Sequence, residues 1–152
     1  MGAVFFYHLT RRPLEATLPV LLDRSRANGW RVVVRGTDPG RMSWLDEKLW
    51  MGKDDGFLPH GLSGGPHDAL QPILLTTDHN TSAQCLMCID GAAPRPEEVS
   101  ASERVCILFD GTDPEAVQTA RGHWKALTDA GCAAQYWSEA DGKWEKKAEA
   151  GG

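Results

Sequence analysis

Four cysteines are among the residues of this 152-residue sequence best suited to metal or redox chemistry. Cys85 and Cys88 have the spacing of half a zinc or redox site, but no second pair of this kind is present. Both lie in an apolar run typical of a β-strand, where residues three apart point to opposite faces. We therefore expect these two residues, with Cys106 and Cys132, to be reduced, buried and structural.

The histidines and the glycine-rich segments do not form a known catalytic motif. The five histidines show neither H-E-x-x-H nor H-x-H spacing: His8, His60, His67, His79 and His123. A P-loop requires Gly-Lys-Ser/Thr, whereas Gly52-Lys53 is followed by an aspartate, and the cluster Gly61–Gly65 lacks the lysine. We expect flexible turns here, with no metal and no cofactor. The alternative is a degenerate nucleotide-binding or hydrolase-like enzyme domain that uses His60 and the glycine cluster.

A cationic and aromatic stripe follows one flank of the last predicted helix. Its members are spaced as neighbours on a helix surface: Val117, Arg121, Trp124, Lys125 and Thr128. The stripe is rotated by roughly 100° from the apolar core positions of the same helix. Two cations beside an indole suit a peptide that ends in acidic residues and an aromatic one. A solvated helix face, with Trp124 packed partly under the sheet edge, fits the same pattern.

Two further aromatic residues occupy positions where packing does not require them. Trp50 lies about 140° around the second predicted helix from Leu45, away from the core stripe. Phe57 follows in a segment rich in glycine and aspartate. Exposed aromatic residues often mark protein interfaces, although Trp50 could also cap the end of its helix. The residues alone favour neither interpretation.

Strand and helix patterns alternate along the chain and predict the fold class. The expected strands are residues 3–9, 30–35, 73–76, 84–89, 104–109 and 132–137, with another beginning near Trp144. Three helices are expected, the first with Pro13 in its first turn and bent or delayed by Pro19, the second capped by Thr37 or Asp38, and the third beginning at Thr112 or Asp113. Long loops are expected at 51–72 and 91–102. This order predicts a single-domain, three-layer α/β/α fold with a mostly parallel open sheet. We expect the domain to span residues 1–147, with 148–152 frayed.

Composition and charge limit the classes of protein to which the chain can belong. Apolar residues make up 41% and charged residues 24% of the chain, which excludes a largely disordered protein. No apolar run has the length of a membrane span, so we expect a soluble, cytoplasmic protein that does not contact membranes. The net charge of −5 disfavours direct binding to nucleic acid.

The sequence resembles the chi subunit family of bacterial DNA polymerase III along nearly its whole length. No single segment is sufficient, but the order and spacing of six segments together identify the family. These segments are Val4–Leu9, Leu45–Trp50, Phe57–His60, Leu108–Gly111, Ala120–Leu127 and Tyr136-Trp137 with Gly142–Lys147.

The resemblance implies a non-catalytic subunit of the clamp-loader complex with two binding partners. One is the psi subunit, whose contacts correspond to Trp50 and Phe57; in some bacteria the same surface is thought to serve an accessory helicase. The other is the acidic, phenylalanine-terminated tail of single-stranded DNA-binding protein, whose contacts correspond to Arg121, Trp124 and Lys125. Some members of the family carry a lysine where this chain has Val117.

Overall fold

The structure, a computed structural model, describes residues 3–10, 14–51, 60–62, 72–77, 83–140 and 143–150. Eight strands and four helices lie within these ranges. In chain order they are β1 (Ala3–Leu9), α1 (Leu14–Ala27), β2 (Val32–Arg35), α2 (Pro39–Met51), β3 (His60–Leu62), β4 (Ile73–Thr76), β5 (Cys85–Cys88), α3 (Pro96–Ala101), β6 (Arg104–Asp110), α4 (Pro114–Asp129), β7 (Ala133–Ala140) and β8 (Lys143–Ala150).

All eight strands form one sheet in the order β3-β4-β2-β5-β6-β1-β7-β8. Neighbouring strands are parallel except β7 and β8, which form an antiparallel pair at one edge. β1 therefore lies between β6 and β7, with Phe6 opposite Ile107 on one side and Tyr136 on the other. This arrangement confirms the predicted mostly parallel open sheet.

Helices cover both faces of the sheet, as a three-layer fold requires. Apolar residues of α1 and α2, such as Leu22 and Leu45, pack on one face. Val99 of α3 and Leu127 of α4 pack on the other. Among the described residues, none of the helices combines the length and the apolar composition of a membrane span.

The four cysteines are free and buried, as predicted. Cys85 packs in the layer of α1 and α2, whereas Cys88 packs in the layer of α3 and α4. Their sulfur atoms therefore point to opposite faces of β5, as the strand periodicity predicted. Burial raises the pKa of the Cys88 thiol to about 12, so this group stays protonated at neutral pH.

Two short elements occupy segments that we expected to be loops. β3 pairs with β4 and so places His60–Leu62 at the sheet edge, within the expected loop 51–72. α3 has six residues within the expected loop 91–102, with Pro96 in its first turn. Elements of three and six residues are too short to produce a readable hydrophobic period, so the patterns missed both.

The interior of α1 and the end of the last strand differ in part from expectation. α1 runs without interruption from Leu14 to Ala27 with Pro19 buried inside it, so the proline does not delay the start of the helix, one of the two effects expected of it. β8 continues to Ala150 and pairs Ala148 with Tyr136, so residues 148–150 are not frayed. Main-chain pairing with β7 orders this charged segment, and the side-chain pattern does not reveal such pairing.

A buried ion pair joins α3 to β2. The Arg35 side chain is fully buried and donates two hydrogen bonds to the Glu98 carboxylate, at 2.9 and 2.7 Å. The same carboxylate accepts a bond from the Arg95 backbone N–H at 2.8 Å. Burial alone would raise the pKa of Glu98, but these bonds outweigh it and hold the pKa below its ordinary value.

Candidate functional site

α4 carries most of the predicted site residues, and its sequence fixes where it begins and ends. Asp113 caps the helix by accepting a hydrogen bond from the Glu115 backbone N–H at 3.0 Å, and Pro114 follows in the first turn. Gly131 ends the segment with a φ of 91°. α4 connects β6 to β7 and contacts both, so it crosses over β1, which lies between them.

The five predicted residues of α4 lie together on its surface but differ in exposure. Val117 and Trp124 are half-buried and pack against the core layer of α3 and α4. Arg121 and Lys125 are exposed. The Thr128 hydroxyl donates a hydrogen bond of 2.8 Å to the Trp124 carbonyl oxygen, so this hydroxyl is already a donor within the helix. The flank therefore has an apolar base and a cationic rim.

The ring of Trp124 is held by two aromatic residues of the sheet. Phe6 meets it edge-on with 5.3 Å between ring centroids, and Tyr136 meets it edge-on at 6.1 Å. Phe6 is completely buried, whereas Tyr136 is half-buried. Such contacts fix the plane of the indole while part of it stays at the surface. Trp124 therefore packs against the sheet and still borders solvent.

Tyr136 forms one wall of this candidate site, and it was not among the predicted site residues. Its hydroxyl shares a hydrogen bond of 2.6 Å with Nδ1 of His8, and its ring stacks on Phe6 with centroids 6.4 Å apart. Gly111 is required beside this pair, because a β-carbon there would collide with the His8 ring. The alternation of side chains along β7 could have predicted that Tyr136 faces α4. The sequence pattern could not predict that β7 lies beside β1, because that depends on the order of strands in the sheet.

The charges of the flank are available to a ligand. Within the described ranges, neither Arg121 nor Lys125 forms an ion pair. Burial raises the pKa of Tyr136, and the positive charge of Arg121 opposes this rise without cancelling it. The guanidinium of Arg121 is therefore near enough to the Tyr136 phenol to influence it electrostatically.

The second predicted interface lies at the other end of the sheet and is only partly described. Trp50 occupies the last turn of α2, and Phe57 lies outside the described residues. α2 contacts the edge strand β3. Leu62 of β3 is 38% exposed, the highest exposure of any large apolar side chain in the described ranges. The patterns missed it because they placed it in a loop.

The residues considered for metal or enzyme chemistry lie in several parts of the fold, and some of them fall outside the described residues. No group of three or more histidine, cysteine, aspartate or glutamate residues there could hold a metal ion. His60 and Gly61 belong to edge strand β3, and residues 63–65 of the glycine cluster lie outside the described ranges. His123 lies on α4, and burial lowers its pKa, which favours the neutral imidazole.

Comparison with known proteins assigns most of the chain to one family. Residues 1–135 match the family model described as DNA polymerase III chi subunit, HolC. None of the curated proteins compared with the chain matches it. The matched range includes β1, which supplies Phe6 and His8, and all of α4.

Proposed function

Because the chain belongs to the DNA polymerase III chi subunit family, and so has an accessory role in DNA replication, we propose that it is a non-catalytic adaptor. It binds the acidic C-terminal tail of single-stranded DNA-binding protein through α4 and holds it near the clamp loader through the psi subunit. It acts in the cytoplasm and does not bind DNA itself.

The observation that carries this proposal is a pair of exposed cations beside the packed indole of Trp124, neither of which forms an ion pair within the described ranges. Arg121 and Lys125 are exposed, whereas the chain as a whole has a net charge of −5. An acidic surface repels DNA, but a local pair of cations still attracts an acidic peptide. Arg121 binds carboxylates of the tail, and the exposed part of Trp124 with Val117 contacts the terminal phenylalanine. A short peptide buries only a small interface, so we expect micromolar affinity.

The psi subunit binds the opposite end of the sheet, at the end of α2. The family resemblance assigns this role to Trp50 and Phe57, and the exposed side chain of Leu62 adds apolar surface on the adjoining strand β3. An accessory helicase is the alternative partner for this surface. Because α2 and α4 cover opposite faces of the sheet, the two partners can bind simultaneously.

The test is a titration of the whole chain with a labelled peptide that copies the tail of single-stranded DNA-binding protein. A matched peptide that lacks the terminal phenylalanine serves as the control. We expect saturable micromolar binding of the first, at least tenfold weaker binding of the second, and loss of affinity at high salt. Equal affinity for both peptides would contradict the proposal.

The enzyme alternative is tested by thermal unfolding with ATP and Mg²⁺. A nucleotide-binding domain is stabilised by its ligand in proportion to ligand concentration. We expect the melting temperature to be unchanged, whereas a concentration-dependent rise would favour the alternative.

A further inference from the structure

A cavity of about 690 Å³ opens at the carboxyl ends of the central strands. Apolar side chains from both layers of the core form part of its walls, including Leu9, Leu14, Ile107 and Phe109. Polar side chains line it as well, among them Asp110 at the end of β6. This volume lies in the range of small-molecule sites, which combine apolar walls with a few placed polar groups.

The cavity lies where the direction of chain winding reverses. β1 and β6 are neighbours in the sheet, but β1 leads into α1 on one face and β6 leads into α4 on the other. The two connections therefore separate and leave a crevice beyond the strand ends. Open α/β sheets bind their ligands in this position.

Among the described residues that line the cavity, the charges favour a cation. Asp110, Asp113 and Glu115 line it, and none of these three pairs with a cation among the described residues. Arg41 also lines it, but its guanidinium is bound to Asp90 at 3.0 Å. Hydrogen bonds from Thr112 lower the pKa of Asp110, so its carboxylate is ionised at neutral pH.

A phosphate is disfavoured by the same geometry. The first turn of α4 would attract an anion through its free N–H groups, but Asp113 already accepts the Glu115 N–H. We propose that this cavity binds a small organic cation with an apolar body, its ammonium group beside Asp110 and Glu115 and its body against the apolar walls.

This cavity is separate from the proposed tail site. The residues of α4 that line it include Ala116, Thr119 and His123, whereas Val117, Arg121 and Trp124 do not line it. The two sites therefore use different flanks of one helix, and binding at each can be measured independently.

The test compares two probes that share an indole ring and differ in charge: tryptamine, which is cationic, and indole-3-propionate, which is anionic. Amide NMR signals of the whole chain are followed during each titration. We expect saturable shifts at Gly91, Thr112 and Thr119 with tryptamine only, and weakening at high salt. Glu115→Gln should weaken binding about two- to fivefold, the effect of one exposed charge, whereas Asp129→Asn, on the far end of α4, should not.

A third variant tests the cavity itself. Thr119 is exposed and lines the cavity, so Thr119→Trp fills space without disturbing the core, and we expect tryptamine binding to fall at least tenfold. Equal or stronger binding of the anion would overturn the assigned charge. Shifts confined to the Arg121 flank, or no saturation with either probe, would overturn the site.

Discussion

Trp124 of α4 meets Phe6 of β1 edge-on, with 5.3 Å between the ring centroids. Phe6 is completely buried on an interior strand of the sheet, so the indole packs on a part of the core that does not move easily. The exposed Arg121 lies one turn before Trp124 on the same helix. The proposed tail site is thus a cationic rim on a rigid aromatic base.

Arg121→Ala should weaken binding of the tail peptide by about 1.5–3 kcal/mol, because a charged hydrogen bond is lost. The measurement is a titration with labelled tail peptide. Arg24→Ala is the matched control, since Arg24 is an exposed arginine of α1 on the opposite face of the sheet. Unchanged affinity in Arg121→Ala, or an equal loss in the control, would contradict the placement of the site.

Val117→Lys should tighten tail binding by about 0.5–1 kcal/mol, because it adds a cation one turn before Arg121. The lysine stem can follow the apolar surface that the half-buried valine now covers while its ammonium group reaches solvent. The salt dependence should become steeper as well. Gln118→Lys adds the same charge at a neighbouring exposed position and should have less effect. Equal tightening in both variants would indicate a general effect of charge.

Trp124→Ala should abolish measurable tail binding and lower the free energy of unfolding by about 2–3 kcal/mol. This cost is below that of a fully buried tryptophan, because the indole is half-buried. Trp124→Phe separates the two effects, since it keeps a ring against Phe6 and Tyr136 and should restore most of the stability. Urea unfolding and peptide titration measure the two quantities. Wild-type affinity in Trp124→Ala would exclude the indole from the site.

Glu98→Gln should destabilise the protein by about 2–3 kcal/mol at neutral pH, because it removes the counter-charge of the buried Arg35. The pKa of Glu98 is lowered in the folded state, so its contribution is complete above the ordinary value of 4.5 and is lost as the pH falls through the folded pKa. The difference between variant and wild type should therefore shrink from pH 7 to pH 3. Glu97→Gln, an exposed neighbour, is the control. A difference that is constant with pH would contradict this role.

The sequence predicted the long elements and the core because their periods are clear. The strand Arg104–Asp110 and the helix Pro114–Asp129 both appear where they were expected. The start of the helix was readable because aspartate before Pro114 is a local signal of a helix N-terminus. These features depend on neighbouring residues only.

The wall of the site was not predictable in the same way, because it depends on contacts between distant parts of the chain. The bond between His8 and Tyr136 exists only because β1 and β7 are adjacent in the sheet. The ion pair of Arg35 with Glu98 depends on α3, which is too short to produce a period. Local patterns carry no information about such pairings.

The most direct test of the central claim is to map the bound tail peptide on the chain. A spin label near the phenylalanine terminus of the peptide broadens the amide NMR signals of residues close to it. A tail site on α4 should give broadening at Trp124, Lys125 and Tyr136, with no effect on α2. Broadening confined to α2 and β3, or spread evenly over the surface, would contradict a tail site on α4.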